Sequence, residues 1–172
     1  TYNNTKNGPA AFIVKDKEGN SKTITYNEQN IPDFTTEWTI AEANTTVTVP
    51  VIGNVNVYID YGDGTKENVK SRNPTHTYVN AGTYTMKISG KCDSFSTNSS
   101  SQSYLTGIKK WGCLENTSYS FSNCKKLVGT IPEPLESSFK NITSCSYMFG
   151  WCSGLTGTIP ENLFANCPNV TT

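Results

Sequence analysis

Short stretches in which apolar and polar residues alternate run through the first hundred residues of the chain. Ala11-Phe12-Ile13-Val14 and Lys22-Thr23-Ile24-Thr25-Tyr26 are strand-like, and the turn-rich Asp16-Lys17-Glu18-Gly19-Asn20 between them predicts a β-hairpin. Two strands alone are marginal in water, so this hairpin is expected to pack on something else. Residues 27–36 are polar, contain Pro32 and read as a linker. From Trp38 to about Phe95 the alternation is continuous in character. Thr46-Val47-Thr48-Val49, Val55-Asn56-Val57-Tyr58-Ile59 and Thr83-Tyr84-Thr85-Met86-Lys87-Ile88 each present one apolar and one polar face, as a two-sheet sandwich requires. The Asp63-Gly64 pair in Asp60-Tyr61-Gly62-Asp63-Gly64-Thr65 and the run Asn80-Ala81-Gly82 supply reversals between strands.

The pattern changes after the Ser/Asn/Thr-rich stretch from Lys91 to Ser103, which reads as a boundary loop. Residues 118–144 align with 146–172 at an offset of 28 without gaps, with 13 identities in 27 positions. Chance would give one or two, at roughly 6% per position. The shared pattern S-Y-x-F-x-x-C-x-x-L-x-G-T-I-P-E-x-L runs from Ser118 to Leu135 and again from Ser146 to Leu163. Phe121, Cys124 and Leu127, like Phe149, Cys152 and Leu155, recur every third residue, as on the inner face of a tight helical turn. Leu127, Gly129 and Ile131 then alternate like a short strand that Pro132 stops. Leu114, Ile142 and Val170 extend the register. A unit this short cannot bury its own apolar face and must stack on its neighbours, which predicts a solenoid of leucine-rich-repeat type. Leu105-Thr106-Gly107-Ile108, followed by Trp111-Gly112, breaks the period and is expected to cap it. The expected fold class is therefore mainly β, with a two-sheet β-sandwich followed by a short solenoid. Its divisions are a hairpin and linker over 1–36, the sandwich over 37–95 and the solenoid with its cap over 96–172.

Composition narrows the function classes. Lys+Arg and Asp+Glu are equal at 14 each, so neither a basic footprint for nucleic acid nor an acidic tail exists. The longest apolar run, Ala10 to Val14, falls far short of the ~18 residues of a membrane span, and no membrane insertion is expected. Thr1 opens a polar stretch, as expected of a mature or trimmed chain, and Val170-Thr171-Thr172 stops mid-unit, as expected of a polypeptide that continues. Six cysteines stand at 92, 113, 124, 145, 152 and 167 without any C-x-x-C. Zinc-ribbon and thioredoxin-type chemistry are thereby disfavoured. The remaining readings are disulfides or buried thiols, and the matching places of Cys124 and Cys152 in the repeat favour thiols that fill a core. Of the six N-x-[ST] sequons, at Asn3, Asn44, Asn98, Asn116, Asn141 and Asn169, most are expected to be coincidences of composition.

Two family resemblances follow from these motifs. Ile59-Asp60-Tyr61-Gly62-Asp63-Gly64-Thr65, then His76-Thr77-Tyr78, then Ala81-Gly82-Thr83-Tyr84 resemble, in order, the motifs of the polycystic-kidney-disease (PKD) domain over about 38–95. The sequence departs from that family in placing its aromatic at Tyr61 rather than one place earlier. The resemblance implies an immunoglobulin-like sandwich of an extracellular protein, used as a spacer or binding module, in which Asp60, Gly62, Asp63, Gly64, His76, Tyr78, Gly82 and Tyr84 are structural. The F-x-x-C-x-x-L units and the preceding Ile108-Lys109-Lys110-Trp111-Gly112 resemble BspA-like leucine-rich repeats of bacterial and some protist surface proteins over about 104–172. That resemblance implies adhesion to host components or other microbes.

Candidate chemistry is sparse. His76 is the one histidine, and in H-T-Y it is expected to fix a loop rather than serve a nucleophile. Asp60 and Asp63 are weak calcium candidates because the remaining ligands of a calcium loop are missing. Glu133 and Glu161 recur beside Pro132 and Pro160, where a turn role is simpler than a glycosidase pair. No cofactor and no enzymatic activity are expected. Trp151 is the better lead: it replaces Asn123 at a repeat position that tolerates a polar side chain, so it is expected to face solvent and anchor a partner. Lys125 and Lys126 are grouped with it. The leading expectation is a non-enzymatic cell-surface adhesin or binding module for an extracellular protein or glycan. The alternatives are a structural subunit of a surface filament or phage or cell-surface decoration, self-assembling through the N-terminal hairpin by β-augmentation, and an accessory module of a carbohydrate-active enzyme.

Overall fold

A computed structural model describes residues 10–15, 17, 19–26, 32–112, 114–116, 118–135, 138–165 and 167–170, with the backbone alone for 10–15 and 22–26. Two compact units are present, Thr1–Pro32 and Asp33–Thr172. In the first, β1 (Ala10–Lys15) and β2 (Ser21–Tyr26) form the expected antiparallel hairpin, with Ala10 opposite Tyr26 and Lys15 opposite Ser21. Gly19, at φ +87°, supplies the left-handed residue its turn needs. Residues 27–31 of the expected linker lie outside the described residues.

The second unit is mainly β with antiparallel sheets, as an immunoglobulin-like sandwich requires. Its strands are β3 (Phe34–Ile40), β4 (Thr45–Thr48), β5 (Val51–Ile52), β6 (Asn56–Asp60), β7 (Lys66–Val69), β8 (Thr75–Tyr78), β9 (Gly82–Lys91), β10 (Ser94–Ser96), β11 (Leu105–Lys110) and β12 (Ser118–Ser120). One sheet has the order β11-β3-β9-β6-β7. The remaining strands pair as β4-β8 and as β12-β10-β5, the β10–β12 pair being parallel. Alternation produces the core directly: Val57 and Ile59 of β6, Met86 and Ile88 of β9, and Trp38 and Ile40 of β3 all point inward and are buried. Thr36 shares the inward face of β3, and its hydroxyl accepts the Trp38 indole N–H at 2.9 Å, which satisfies a donor that burial would otherwise orphan. A one-turn helix, α1 (Ser99–Gln102), follows β10 and is capped by Asn98, whose side-chain Oδ1 accepts from the amides of Ser100 and Ser101.

The sheet runs through both expected boundaries of the sandwich. β3 starts at Phe34, inside the stretch read as linker, and β11, read as part of a separate cap, is the neighbour of β3. Trp111 follows β11 and is fully buried. Its indole packs on Phe34 and meets Tyr119, Phe121, Phe139 and Phe149 at centroid distances of 4.8–6.2 Å. Its Nε1 donates to the Pro132 carbonyl at 2.7 Å. Gly112 beside it adopts φ +61°, and a Cβ there would lie 2.3 Å from the Phe34 nitrogen, so this close crossing admits only glycine.

The triplet spacing of the repeat becomes a chain of tight turns. Cys124 N–H donates to the Phe121 carbonyl and Leu127 N–H to the Cys124 carbonyl, both at 3.0 Å, and Cys152 and Leu155 repeat the arrangement at 3.2 Å. The expected strand over Leu127–Ile131 is reduced to one isolated parallel bridge between Gly129 and Leu155, because Leu127 is already committed to the turn and Pro132 follows at once. The two units touch in register. Phe121 N–H donates to the Met148 carbonyl and Asn123 N–H to the Gly150 carbonyl, both at 2.8 Å, and the rings of Phe121 and Phe149 stack at 5.7 Å. Gly154 makes this approach feasible, since a Cβ there would lie 2.7 Å from the Leu127 carbonyl oxygen.

Candidate functional site

The β6–β7 reversal gathers the acidic motif. Asp60 closes its turn by accepting from Gly62 N–H at 3.0 Å, and Asp63 does the same for Thr65 N–H at 2.9 Å. Gly62 has φ +83°, and a Cβ would lie 2.5 Å from the Thr85 carbonyl oxygen, so the turn lies flat on β9. The second Asp63 oxygen meets His76 Nε2 at 2.8 Å, and Lys66 Nζ reaches Asp60 at 3.0 Å. Tyr61 is fully buried and stacks on the His76 ring at 3.9 Å, while Tyr78 meets that ring edge-on and donates its hydroxyl to the Tyr61 carbonyl at 2.9 Å. Tyr84 stacks on Tyr78 and closes the next turn by donating to the Asn80 carbonyl at 2.8 Å. Gly64 takes φ +98° in the turn, whereas Gly82, which opens β9, has no left-handed backbone.

Electrostatics match this geometry. Burial raises the carboxyl pKa of both Asp60 and Asp63, but it is outweighed, so both lie below the ordinary carboxylate value. The opposing contributions are Lys66 and the Gly62 amide for Asp60, and the Thr65 amide and His76 for Asp63. Burial, and then the charge of Glu67, which accepts the Tyr61 hydroxyl at 3.1 Å, push the Tyr61 phenol upward. The cluster thus spends its charges internally. Both carboxylates named as calcium candidates are engaged in turn closure and ion pairing, and no group of three or more metal-ligating side chains occurs among the described residues. The His76 ring is enclosed by two tyrosines, with its Nε2 directed at Asp63. Glu133 and Glu161 are both exposed.

A different environment surrounds Trp151. Its side chain is 69% exposed and Tyr147 is 70% exposed, and their rings lie nearly parallel, 5.8 Å between centroids and 5° between planes. Both residues have left-handed backbones, at φ +58° and +54°. Asn123, the counterpart of Trp151, has φ +63°, so the turn recurs in this conformation, which asparagine adopts readily and a bulky aromatic only at a cost. Tyr147 differs from its own counterpart: Tyr119 lies in β12 and is buried. In the second unit Met148 takes the inward place and Tyr147 turns out, a change signalled in sequence by the replacement of Ser120 by Met148. Lys125 and Lys126 are exposed on the first unit, and among the described residues neither forms an ion pair or ring contact with Trp151 or Tyr147. Trp111, Phe121, Cys124 and Leu127 are fully buried, whereas Phe149, Cys152 and Leu155 are partly buried.

The described cysteines, at 92, 124, 145, 152 and 167, are free thiols, and Cys113 lies outside the described residues. Burial pushes Cys92 up to about 12 and Cys124 up to about 11. The Cys152 thiol donates to the Phe121 carbonyl at 3.0 Å, the same oxygen that receives Cys124 N–H.

Residues 33–103 match the family model of the PKD domain. This stretch is a PKD-like domain, and the match ends before the repeat begins. PKD domains are commonly adhesion or binding modules and typically occur in extracellular proteins. No curated protein and no solved structure matches the chain. Among the described residues no helix is long and apolar enough to cross a membrane.

Proposed function

We propose that the chain is a non-enzymatic binding module of a cell-surface adhesin. In this reading the PKD-like sandwich carries a short stack of BspA-like leucine-rich repeats, and the stack binds an extracellular protein or glycan. The observation that supports it is the Tyr147–Trp151 pair. Two large aromatic rings stand in solvent on a left-handed backbone that disfavours them, at positions whose counterparts are a buried tyrosine and an asparagine. An exposed aromatic pair offers the flat apolar faces on which sugar rings and protein side chains settle. The test is a screen of the full chain against glycans and extracellular-matrix proteins, with Trp151→Ala alongside. The reading expects binding that Trp151→Ala reduces at least about tenfold, the scale of an interface anchor. Binding that survives the substitution unchanged would move the site elsewhere. Release of reducing sugar or cleaved peptide, lost on Glu133→Gln or Glu161→Gln, would overturn the non-enzymatic part.

One observation favours a second reading, a self-assembling surface subunit. Among the described residues β1 and β2 pair only with each other, and a two-stranded hairpin is the kind of element that strand addition extends. Sedimentation of the full chain, with and without residues 1–26, tests it. Assembly that depends on those residues supports this reading, and a monomer at all concentrations removes it.

A further inference from the structure

The cysteines of the repeat region fall into two kinds. Cys124 and Cys152 occupy equivalent places, and the Cys152 thiol is spent on the Phe121 carbonyl at 3.0 Å. Cys145 and Cys167 break the repeat. At the offset of 28 they answer to Thr117 and Phe139, so filling a recurrent core position does not account for either. Yet these two unmatched thiols meet: their side chains are hydrogen-bonded, with the Cys167 thiol donating to the Cys145 sulfur. Both backbones are held at the meeting point. The Cys145 carbonyl accepts from Met148 N–H at 3.2 Å, and Ser144 beside it bridges to Ser118 of β12. Cys167 N–H donates to the Phe164 carbonyl at 3.2 Å, and Asn169 Nδ2 ties the same turn to the Lys140 carbonyl, also at 3.2 Å. Sulfurs in hydrogen-bond contact on two fixed backbones lie close to the reach of a covalent bridge.

We propose that Cys145 and Cys167 are the two halves of a disulfide that closes when the protein meets an oxidising small-molecule disulfide, while Cys124 and Cys152 stay thiols. The Cys145 thiolate attacks one sulfur of the oxidant, forming a mixed disulfide and releasing one small thiol. The Cys167 thiolate then attacks the Cys145 sulfur and expels the second small thiol. The protein gives up two thiol protons and two electrons, and the oxidant is reduced to two thiols. Burial raises both cysteines above the ordinary thiol value, and the hydrogen bond from Cys167 partly offsets this at Cys145, which suits Cys145 to the first attack. An extracellular setting, where PKD domains typically occur, supplies oxidising conditions. The bridge spans 22 positions and encloses Tyr147, Trp151 and Gly154. Closing a loop of that length restricts the unfolded chain, so the oxidised protein melts higher than the reduced one. The proposal does not rest on the binding role of Trp151.

The test incubates the reduced full chain in glutathione buffers graded from reducing to oxidising, traps free thiols with iodoacetamide in denaturant and maps the peptides. A peptide linked through Cys145 and Cys167 is expected in most molecules at the oxidising end, with Cys124 and Cys152 alkylated throughout. The melting temperature is expected to rise by about 5 °C or more on oxidation and to fall back with dithiothreitol. Cys167→Ser is expected to abolish that rise. Alkylation of both Cys145 and Cys167 at the oxidising end overturns the proposal. So does a bridge from either of them to another cysteine, Cys113 included, a glutathione adduct that persists on either, or a link between two chains. The peptide map is read on the unsubstituted chain, so it decides the matter even where Cys167→Ser does not fold.

Discussion

The indole of Trp111 lies parallel to the ring of Phe34, 6.2 Å between centroids and 15° between planes, and so joins the first strand of the sandwich to the segment that opens the repeats. Both side chains are fully buried, and the indole N–H is satisfied by the Pro132 carbonyl. Trp111→Ala is therefore expected to cost about 3–5 kcal/mol in chemical denaturation, by opening a cavity among five aromatic neighbours. Trp111→Phe, which keeps most of the packing and loses the hydrogen bond, is expected to cost less. A loss below about 1 kcal/mol in the alanine variant would show that the two regions do not share this core.

Acid is expected to loosen the β6–β7 reversal. Asp60 and Asp63 have depressed pKa values in the folded state, so the stability they contribute is fully present above their unfolded values, near about pH 4. That stability is lost as pH falls through the lower folded values. Melting curves from about pH 7 to about pH 2.5 should therefore drop at the acid end, and Asp63→Asn should flatten part of the drop. An identical acid profile in Asp63→Asn would contradict the assignment.

Trp151→Asn copies the residue of the first unit into the second. It is expected to stabilise the fold by about 1 kcal/mol, because asparagine accepts the left-handed backbone that tryptophan resists. The same substitution should weaken partner binding. Gain in melting temperature with loss of binding is a combination that a merely structural tryptophan would not give. Destabilisation instead would show that the ring packs on something that supports the fold.

Much of the sandwich was legible from alternation and the rest was hidden for identifiable reasons. Val57 and Ile59, or Met86 and Ile88, announce an inward face because each inward position is apolar. The same rule fails at β3, where the inward Thr36 is polar and counts as buried only once its bond to Trp38 is known. It fails again at β11, where register shifts after Leu105 and after Ile108 break the period of two. In the repeat, the triplet spacing predicts the turns at Phe121, Cys124 and Leu127, yet the strand read beyond them is a single bridge. Trp151 stood out because its counterpart is Asn123. Tyr147 did not, since Tyr119 is the same letter in a buried place.

Gly154→Ala should disturb the contact between the repeat units, because the added methyl carbon would lie 2.7 Å from the Leu127 carbonyl oxygen and 3.0 Å from that of Lys125. A cost of about 1–3 kcal/mol is expected from this overpacking, with faster exchange of the Phe121 and Asn123 amides. Gly150→Ala is the control, since its Cβ would meet nothing closer than 3.5 Å. Equal behaviour of the two variants would rule out the close approach at Gly154.

Thiol reactivity should separate the cysteines by burial. Cys92 and Cys124, raised to about 12 and about 11 by burial, are expected to resist alkylation of the native protein at mildly alkaline pH. Cys145, Cys152 and Cys167 are less covered and should label first. Mass spectrometry after alkylation in denaturant without reductant checks the oxidation state, and a disulfide at Cys124 or Cys152 would refute the free-thiol arrangement.

The position of β11 beside β3 has a mechanical consequence. Lys110 is paired with Thr35, and Gly112 lies against Asp33 and Phe34, so the chain enters the five-stranded sheet at β3 and leaves it after β11 at neighbouring points. Tension applied between Asp33 and the repeats loads the Trp111–Phe34 contact and the β10–β12 pair before it reaches the far strands of the sandwich. The domain hangs beside the line of force, like a pulley bracket on a taut rope. Its far strands β6 and β7 are spared the load until those contacts part, and the β3–β11 pair then opens from one end, bond by bond.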